Sequence, residues 1–192
     1  MDYDSRRYAL INRWDPSHLE NIDRLLPLSG ERVLEVGCGQ GHLTKRLAER
    51  GVDITGVDAN PNAPEISDSD RVVYMRAESL DFEDESFDVV VSVHALEHIP
   101  DIEGAVSEMI RVLKPGGRAL HIYPAEPIMG LYAIPTSIIL HGTPFKAREV
   151  HCHKLWPAKL RRLVGPSGLV EVHHEFQFFK TPQFISVFEK SV

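Results

Sequence analysis

The feature that most constrains the fold of this chain is a short apolar run that ends in three closely spaced glycines. Residues 32–36 are typical of a buried strand, and Gly37, Gly39 and Gly41 follow them before a helical pattern begins. Glycines at this point let the backbone turn sharply and let a ligand approach the main chain closely. The segment therefore predicts a strand, a ligand-binding loop and a helix in direct succession.

Apolar runs and helix-like segments alternate along the rest of the chain. Several of the runs are continuously apolar, as in strands of a parallel sheet that helices cover on both faces. These runs cover residues 54–58, 72–75, 87–92 and 119–123. Two closing runs, at 169–179 and 184–188, are separated by too few residues for a parallel crossover, so we expect an antiparallel pair. The sequence therefore predicts an α/β fold.

We expect one domain over residues 1–192, because no linker interrupts the chain and its length can bury a substantial core. Residues 1–30 are expected to form an N-terminal helical lid, with Pro16 and Ser17 at a helix start. Residues 124–153 are too apolar for a solvated loop and follow the fifth predicted strand, which predicts a substrate-side insertion. Core packing and a partner surface are the alternatives for this insertion.

Composition argues against several classes of protein. The formal net charge is −7 at pH 7 and no dense basic patch is visible, so we expect no nucleic-acid partner. The most apolar stretch, residues 128–140, is shorter than the roughly 20 residues that a membrane span needs. Cys38 and Cys152 give no disulfide framework. We expect a cytoplasmic protein with a small-molecule substrate, and the sequence leaves a homodimer open.

The glycine spacing and two carboxylates indicate the kind of ligand. A dinucleotide loop has the pattern G-x-G-x-x-G, whereas this chain has G-x-G-x-G and places His42 where the dinucleotide loop needs its last glycine. Asp58, at the end of the second predicted strand, can accept two hydrogen bonds from a ribose diol. Glu35 adds a second carboxylate, and the loop contains no lysine or arginine. A cationic ligand with a ribose therefore suits this loop better than a polyphosphate.

Five segments together resemble the class I, Rossmann-like S-adenosylmethionine-dependent methyltransferases, and specifically the small-molecule methyltransferase group. They occur in family order and at family spacing over residues 32–123. The segments are LEVGCGQG at 34–41, GVD at 56–58, DESFDVV at 84–90, ALEHI at 95–99 and RVLKPGG at 111–117. The resemblance implies a three-layer αβα sandwich with a mostly parallel seven-stranded sheet and an antiparallel C-terminal hairpin. It also implies S-adenosylmethionine as cofactor and S-adenosylhomocysteine as product.

The resemblance further implies which residues hold the cofactor. Glu35 would face the methionine amino group, Asp58 would hold the ribose hydroxyls, and the glycines would allow close approach. The adenine would lie beside the residues after the second and third strands, and the sulfonium beside the end of the fourth. The implied set is Glu35, Gly37, Cys38, Gly39, Gly41, Asp58, Ala59, Ala77, Glu78, Ser92 and Val93. Arg76 stands where many relatives have an aspartate, so we expect Arg76 to point away from the adenine.

Histidines supply the candidates for acid–base chemistry. His94 and His98 are the candidate catalytic residues, since the pKa of histidine suits a base for a hydroxyl or amine acceptor. His94, Glu97 and His98 also match H-x-x-E-H, a metalloprotease pattern, but here the match directly follows a strand. A similar stretch binds a metal ion in small-RNA 2′-O-methyltransferases, so metal assistance is an alternative. Packing of the following turn is another.

Two further residues are candidate substrate contacts. His121 is expected to end the fifth strand, and Tyr123 follows it in phase, so that both would reach the mouth of the site. The histidines at 151, 153, 173 and 174 have no spacing typical of a metal site, and we assign no metal.

These observations favour an enzyme that moves a methyl group from S-adenosylmethionine to an oxygen or nitrogen atom of a small, partly apolar molecule. A protein or RNA methyltransferase is one alternative. A non-catalytic S-adenosylmethionine-binding partner subunit is another, because a fold does not establish an activity.

Overall fold

A computed structural model describes residues 15–125, 138, 143, 152–178 and 182–192. Helices and strands alternate through the first of these ranges, and the last two strands follow one another directly. The helices are α1 (Ser17–Leu25), α2 (His42–Glu49), α3 (Ala63–Ile66), α4 (Ile102–Val112) and α5 (Pro157–Val164). The strands are β1 (Arg32–Val36), β2 (Asp53–Asp58), β3 (Val72–Tyr74), β4 (Phe87–Val93), β5 (Leu113–Pro124), β6 (Leu169–Gln177) and β7 (Gln183–Lys190).

The described strands form one seven-stranded sheet in the order β3-β2-β1-β4-β5-β7-β6. Strands β1 to β5 run parallel, and β7 lies antiparallel to both β5 and β6. The mostly parallel sheet with an antiparallel C-terminal hairpin is therefore confirmed. Because β1 lies between β2 and β4, the carboxyl ends of these three strands meet at one edge of the sheet.

Two apolar clusters hold helices against opposite faces of the sheet. One cluster joins α4 and α5 to the sheet, and includes Met109 and Leu160. The other joins α1 and α2 to the opposite face through Ile22, Leu43 and Leu47. This arrangement confirms the three-layer αβα sandwich, in which each helix buries one apolar stripe against the pleated surface.

The fifth strand is longer than the sequence predicts. A strand over residues 119–123 is expected, but β5 begins at Leu113, which pairs with Phe87 of β4. Gly117 is needed inside this strand, since a Cβ atom there would lie 2.8 Å from a methyl carbon of Leu113 and 2.9 Å from the carbonyl oxygen of Asp88. Burial of Leu113 and pairing with β4 therefore override the turn tendency of the Lys-Pro-Gly-Gly run.

Helix α1 is part of the sandwich, since Ile22 within the helix and Leu26 directly after it are fully buried. The rest of the predicted lid at 1–30 is only partly described, and most of the predicted insertion at 124–153 lies outside the described residues. The single domain, the lid and the insertion all stay predictions. Over the described ranges, no helix is long and apolar enough to cross a membrane.

Candidate functional site

The glycine loop lies at the edge where β1, β2 and β4 end. The backbone N–H groups of Gly37 and Cys38 both donate to the carbonyl oxygen of Val57, at 2.8 and 3.0 Å. Gly37, Gly39 and Gly41 all have positive φ, the conformation that glycine adopts without steric cost. Hydrogen bonds to β2 thus fold the loop back over the sheet edge, where ligands bind in open α/β sheets.

Asp58 fixes this loop through both of its carboxylate oxygens. Oδ2 accepts a hydrogen bond from the backbone N–H of Gly39 at 2.8 Å, and Oδ1 accepts one from the N–H of Asn60 at 2.8 Å. A carboxylate can accept about four hydrogen bonds, so each oxygen keeps acceptor capacity for a ligand. Asp58 is half-buried at the carboxyl end of β2, as a ribose-binding residue would be.

Gly37 brings the loop into contact with the turn that follows β4. A Cβ atom on Gly37 would overlap the Cβ atom of Ala95, and Gly37 has a φ of +76°. Both constraints select glycine at this position. The loop therefore packs directly against Ala95, beside the end of β4.

The Glu35 side chain is not exposed at the sheet edge where the glycine loop lies. Its side chain is 4% exposed, and Oε2 accepts a hydrogen bond from the hydroxyl of Thr44 on α2 at 2.5 Å. Burial raises the pKa of Glu35 to about 7. The hydrogen bond from Thr44 partly offsets this rise, and the nearby negative charge of Asp58 adds to it. Glu35 therefore lies beneath the loop, and its predicted contact with the methionine amino group stays a prediction.

The raised pKa of Glu35 predicts a pH-dependent stability. The folded-state pKa of about 7 exceeds the ordinary 4.5, so the folded chain holds a proton that the unfolded chain releases. This stabilisation is complete below pH 4.5 and is lost as the pH rises to 7. We expect Glu35 to lower the free energy of unfolding by about 3 kcal/mol across this window.

Urea unfolding from about pH 5 to pH 8 measures this loss, and Glu35→Gln should remove it because a glutamine does not titrate. Glu49→Gln, an exposed change at the end of α2, is the matched control and should keep the wild-type slope. Parallel pH profiles for wild type and Glu35→Gln would contradict the assignment.

The end of β4 carries the second group of candidate residues. Ser92 is buried, and its hydroxyl has no hydrogen-bond partner in the described part of the chain. Val93 is half-buried at the end of the strand. His94 follows with a φ of +49°, and its N–H donates to the carbonyl oxygen of Ile122 at 2.8 Å. A positive φ is costly for a histidine, so neighbouring contacts must hold this turn in place.

Two of these contacts act on the His94 ring. Nε2 lies 3.0 Å from Oε1 of Gln183, and Nδ1 lies 3.5 Å from Oε1 of the buried Glu97. Burial lowers the pKa of His94, but Glu97 and Gln183 outweigh it, so the pKa lies above its usual value. Burial raises the pKa of the Glu97 carboxyl, but the neighbouring His94 and His98 outweigh burial and bring this pKa below its usual value. The His94 ring is therefore held between Glu97 and Gln183, and its predicted catalytic role stays a prediction.

A chain of amide groups connects His94 to α1. Nε2 of Gln183 donates to Oε1 of Gln177 at 3.0 Å, and Gln177 exchanges two hydrogen bonds with Asn21, at 2.8 and 3.1 Å. Beside this chain lies a cleft of about 530 Å³ between α1 and the end of β6. Its lining residues are Ser17, Glu20, Asn21, Gln177 and Phe178. This volume lies within the range of small-molecule sites, which is about 300–1,000 Å³.

The structure does not place His121 at a strand end. The expectation that His121 ends the fifth strand is wrong, because β5 continues to Pro124 and pairs there with β7. His121 is 2% exposed, and burial lowers its pKa to about 4. Tyr123 is fully buried, its hydroxyl lies 3.2 Å from that of Ser186, and burial raises its pKa to about 12. Their role as substrate contacts stays a prediction that this burial does not favour.

The residues expected beside the adenine lie around β2 and β3. Ala59 is exposed directly after Asp58, and Ala77 is buried. Arg76 extends into solvent, with 57% of its side chain exposed, and Nη2 lies 2.9 Å from Oε1 of Glu78. Arg76 thus points outward as expected, and Glu78 is held by this ion pair.

Histidines outside the β4 turn form no metal site in the described ranges, where no group of three or more His, Cys, Asp or Glu is arranged to hold an ion. His153 bonds the carbonyl oxygen of Pro100 at 3.1 Å, and His173 lies 3.1 Å from Glu175. His151 lies outside the described residues.

Several residues of the site were not predicted from the sequence, among them Thr44, Asn60 and Gln183. Thr44 contacts Glu35 because α2 packs against the face of the sheet beside β1. Gln183 contacts His94 because β7 pairs with β5, the strand next to β4. Asn60 is detectable, since the Asp58–Asn60 spacing is typical of a turn closed by an aspartate side chain. Gly56 also gives a signal, because a glycine inside a strand indicates close approach, here of the Thr44 hydroxyl.

Sequence comparison connects this arrangement to a known family. Residues 34–121 match the family described as Methyltransferase domain. A relative named ubiquinone biosynthesis O-methyltransferase from Pseudomonas fluorescens is 37% identical over 133 residues, which cover 57% of each chain. A relative of the same name from Idiomarina loihiensis is 29% identical and covers 85% of this chain and 77% of its own length. The chain thus spans little more than half of the first relative.

Solved structures agree with the fold. A structure described as a SAM dependent methyltransferase from Archaeoglobus fulgidus superposes with a TM-score of 0.74 and covers 95% of this chain and 99% of its own. The two sequences are 18% identical. At this identity the likeness shows the fold alone.

Proposed function

Because residues 34–121 match the methyltransferase-domain family and the matched relatives are named O-methyltransferases, we propose that the chain is a class I S-adenosylmethionine-dependent methyltransferase and that it transfers a methyl group to an oxygen or nitrogen atom of a small, partly apolar molecule. The main observation behind this proposal is the glycine loop, which is hydrogen-bonded to Asp58 beside the end of β4. A cytoplasmic location is part of the proposal and is supported by the sparse cysteines.

The residues of the loop fit S-adenosylmethionine. Asp58 keeps acceptor capacity for the ribose hydroxyls, and the glycines leave no side chain between the backbone and a ligand. The loop contains no cation that would oppose a sulfonium or an ammonium group. Ser92 has a buried hydroxyl without a partner in the described ranges, which supports its predicted contact with the methionine part of the cofactor.

When bound, the cofactor supplies a methyl group on a positively charged sulfur, which an acceptor atom can attack in line. The residues of the chain have to hold the acceptor atom in line with the methyl group and exclude water. Positioning of this kind accounts for a large share of the acceleration of a two-substrate reaction. Asp58 and the loop would fix the cofactor, while the turn at His94 and Ala95 would form the opposite wall.

The acceptor is proposed to occupy the cleft between α1 and β6. Amide groups of Asn21 and Gln177 and the ring of Phe178 line it, which suits a molecule with polar and apolar parts. The relatives named O-methyltransferases support oxygen as the acceptor atom. His94 and His98 are the candidate catalytic residues for this acceptor, and Oε1 of Glu97 lies 3.5 and 4.0 Å from their rings.

Two alternatives stay distinguishable. A protein or RNA methyltransferase would need a broad docking face, and the net charge of −7 disfavours RNA. A non-catalytic subunit would bind the cofactor without turning it over.

Calorimetric titration with S-adenosylhomocysteine, with NADH as the control ligand, tests the cofactor assignment. We expect micromolar binding of the first and none of the second. Incubation with S-adenosylmethionine and a panel of phenols, catechols and amines then tests the acceptor by appearance of S-adenosylhomocysteine. Binding without turnover on any acceptor would favour the non-catalytic subunit, and no binding at all would overturn the proposal.

A further inference from the structure

Two charged groups fix the direction of the hydrogen bonds in the amide chain between α1 and His94. Nη2 of Arg24 donates to Oδ1 of Asn21 at 3.0 Å, and a guanidinium group has no acceptor. Oε1 of Glu175 accepts from Nε2 of Gln177 at 2.8 Å, and an ionised carboxylate has no donor. Asn21 therefore presents its oxygen to Arg24, and Gln177 presents its NH2 group to Glu175.

These two orientations determine the orientation of Gln183. Because Nε2 of Gln177 also donates to Asn21, at 2.8 Å, Oε1 of Gln177 faces the other way. There it accepts from Nδ2 of Asn21 at 3.1 Å and from Nε2 of Gln183 at 3.0 Å. Gln183 is 3% exposed and lies directly across from Gln177 in the β6–β7 pair. Since its NH2 group is used by Gln177, Gln183 turns its carbonyl oxygen to His94, at 3.0 Å from Nε2.

An amide oxygen can only accept a hydrogen bond, so its partner on the His94 ring must be a donor. We propose that Asn21, Gln177 and Gln183 are positioning residues, which hold His94 with a hydrogen on Nε2. The nitrogen through which His94 exchanges protons is then Nδ1. The orientation of the ring nitrogens at the end of β4 is thereby set by an arginine on α1 and a glutamate on β6.

Glu97 makes Nδ1 the suitable nitrogen for this exchange. Nδ1 lies 3.5 Å from Oε1 of Glu97, and that oxygen also lies 4.0 Å from Nε2 of His98. Unlike the amide oxygen of Gln183, a carboxylate can itself take up a proton, so one proton can reside on Nδ1 or on Glu97. In the proposed methyl transfer, a proton that the acceptor gives to His94 would pass to Nδ1. This consequence rests on the proposed function, whereas the position of the hydrogen does not.

Other titratable groups also act on the His94 ring. The ring of His18 on α1 lies 5.4 Å from it, centroid to centroid, and the carboxylate of Asp15 acts on it electrostatically. These groups influence how readily the ring is protonated. A test of the proposal therefore has to identify the nitrogen that holds the hydrogen.

Nitrogen-15 NMR of the full chain, labelled at histidine and free of cofactor, makes this distinction from about pH 5 to pH 8. The His94 resonances are assigned by their loss in His94→Gln. We expect the Nε2 shift to stay in the range of a hydrogen-bearing ring nitrogen throughout, so that any change with pH occurs at Nδ1. A bare Nε2 beside a hydrogen-bearing Nδ1 at the upper pH would contradict the proposal.

Gln177→Met tests the chain at a residue that does not contact His94. Gln183 then loses the acceptor of its NH2 group and can turn that group to Nε2, while Glu97 favours the hydrogen on Nδ1. We expect the Nε2 resonance to shift into the range of a bare ring nitrogen at the upper pH, and Gln183→Met should give the same shift.

Glu189→Met, an exposed change near the other end of β7, is the matched control and should keep the wild-type spectrum of His94. A wild-type His94 spectrum in Gln177→Met would overturn the proposal, because the chain would then not place the hydrogen. These spectra need neither cofactor nor acceptor, so their outcome is independent of whether the proposed methyl transfer is correct.

Discussion

Asp58→Ala is expected to weaken binding of S-adenosylhomocysteine by about 2–3 kcal/mol, which corresponds to a loss of about 30- to 150-fold in affinity. Two effects add. The variant loses the acceptor proposed for the ribose hydroxyls, and the N–H groups of Gly39 and Asn60 lose the carboxylate that holds them. Hydrogen bonds to a charged group are worth more than neutral ones, so the loss exceeds that of an ordinary contact. Calorimetry measures the affinity directly.

Asp53→Ala is the matched control for this prediction. Asp53 begins the same strand at the opposite edge of the sheet, where it is exposed and lies 3.5 Å from Arg71. The control removes an equal charge without touching the loop, and we expect an unchanged affinity. If Asp58→Ala folds and binds as tightly as the control, Asp58 does not hold the ribose.

Gly37→Ala is expected to lower the free energy of unfolding by about 2–5 kcal/mol and to abolish measurable cofactor binding. The new methyl group would overlap the Cβ atom of Ala95, and an alanine would also have to adopt a φ of +76°. Either the loop or the turn after β4 must then move, which displaces the backbone proposed to hold the cofactor. Urea unfolding and calorimetry on the same variant measure both losses.

Two variants separate the causes. Gly51 has a φ of +84° and no atom within 4 Å of an added Cβ, so Gly51→Ala should cost only the conformational strain, about 1–2 kcal/mol. Adding Ala95→Gly to Gly37→Ala removes the overlap and should recover the remainder. Equal losses for Gly37→Ala and Gly51→Ala would mean that the loop does not pack against Ala95 as described.

The glycine loop was predictable because its information is local. The strand, the three glycines and the helix are adjacent in sequence, and Asp58 ends the next strand, so the parallel order alone brings it to the loop. The antiparallel closing pair was predictable for the same reason, since the few residues between β6 and β7 permit no crossover.

Contacts made by packing were not predictable. Glu35 has the sequence position of a ligand-binding residue, but its side chain lies beneath the loop, where it accepts a hydrogen bond from Thr44. His121 looks like a strand end only when the pairing of β5 with β7 through Pro124 is unknown. Gln183 reaches His94 from a strand that is remote in sequence, and no local pattern identifies it.

The strand order also has a consequence for how the chain acquires its structure. Strand β7 follows β6 in sequence but lies inside the sheet, between β5 and β6. During synthesis, β5 therefore presents an unpaired edge until the residues of β7 have left the ribosome, and β6 has no strand to join before then. Pairings between distant segments form slowly, and open edges recruit other chains in the meantime. We therefore expect a nascent chain of this topology to be most prone to aggregation between synthesis of β5 and synthesis of β7.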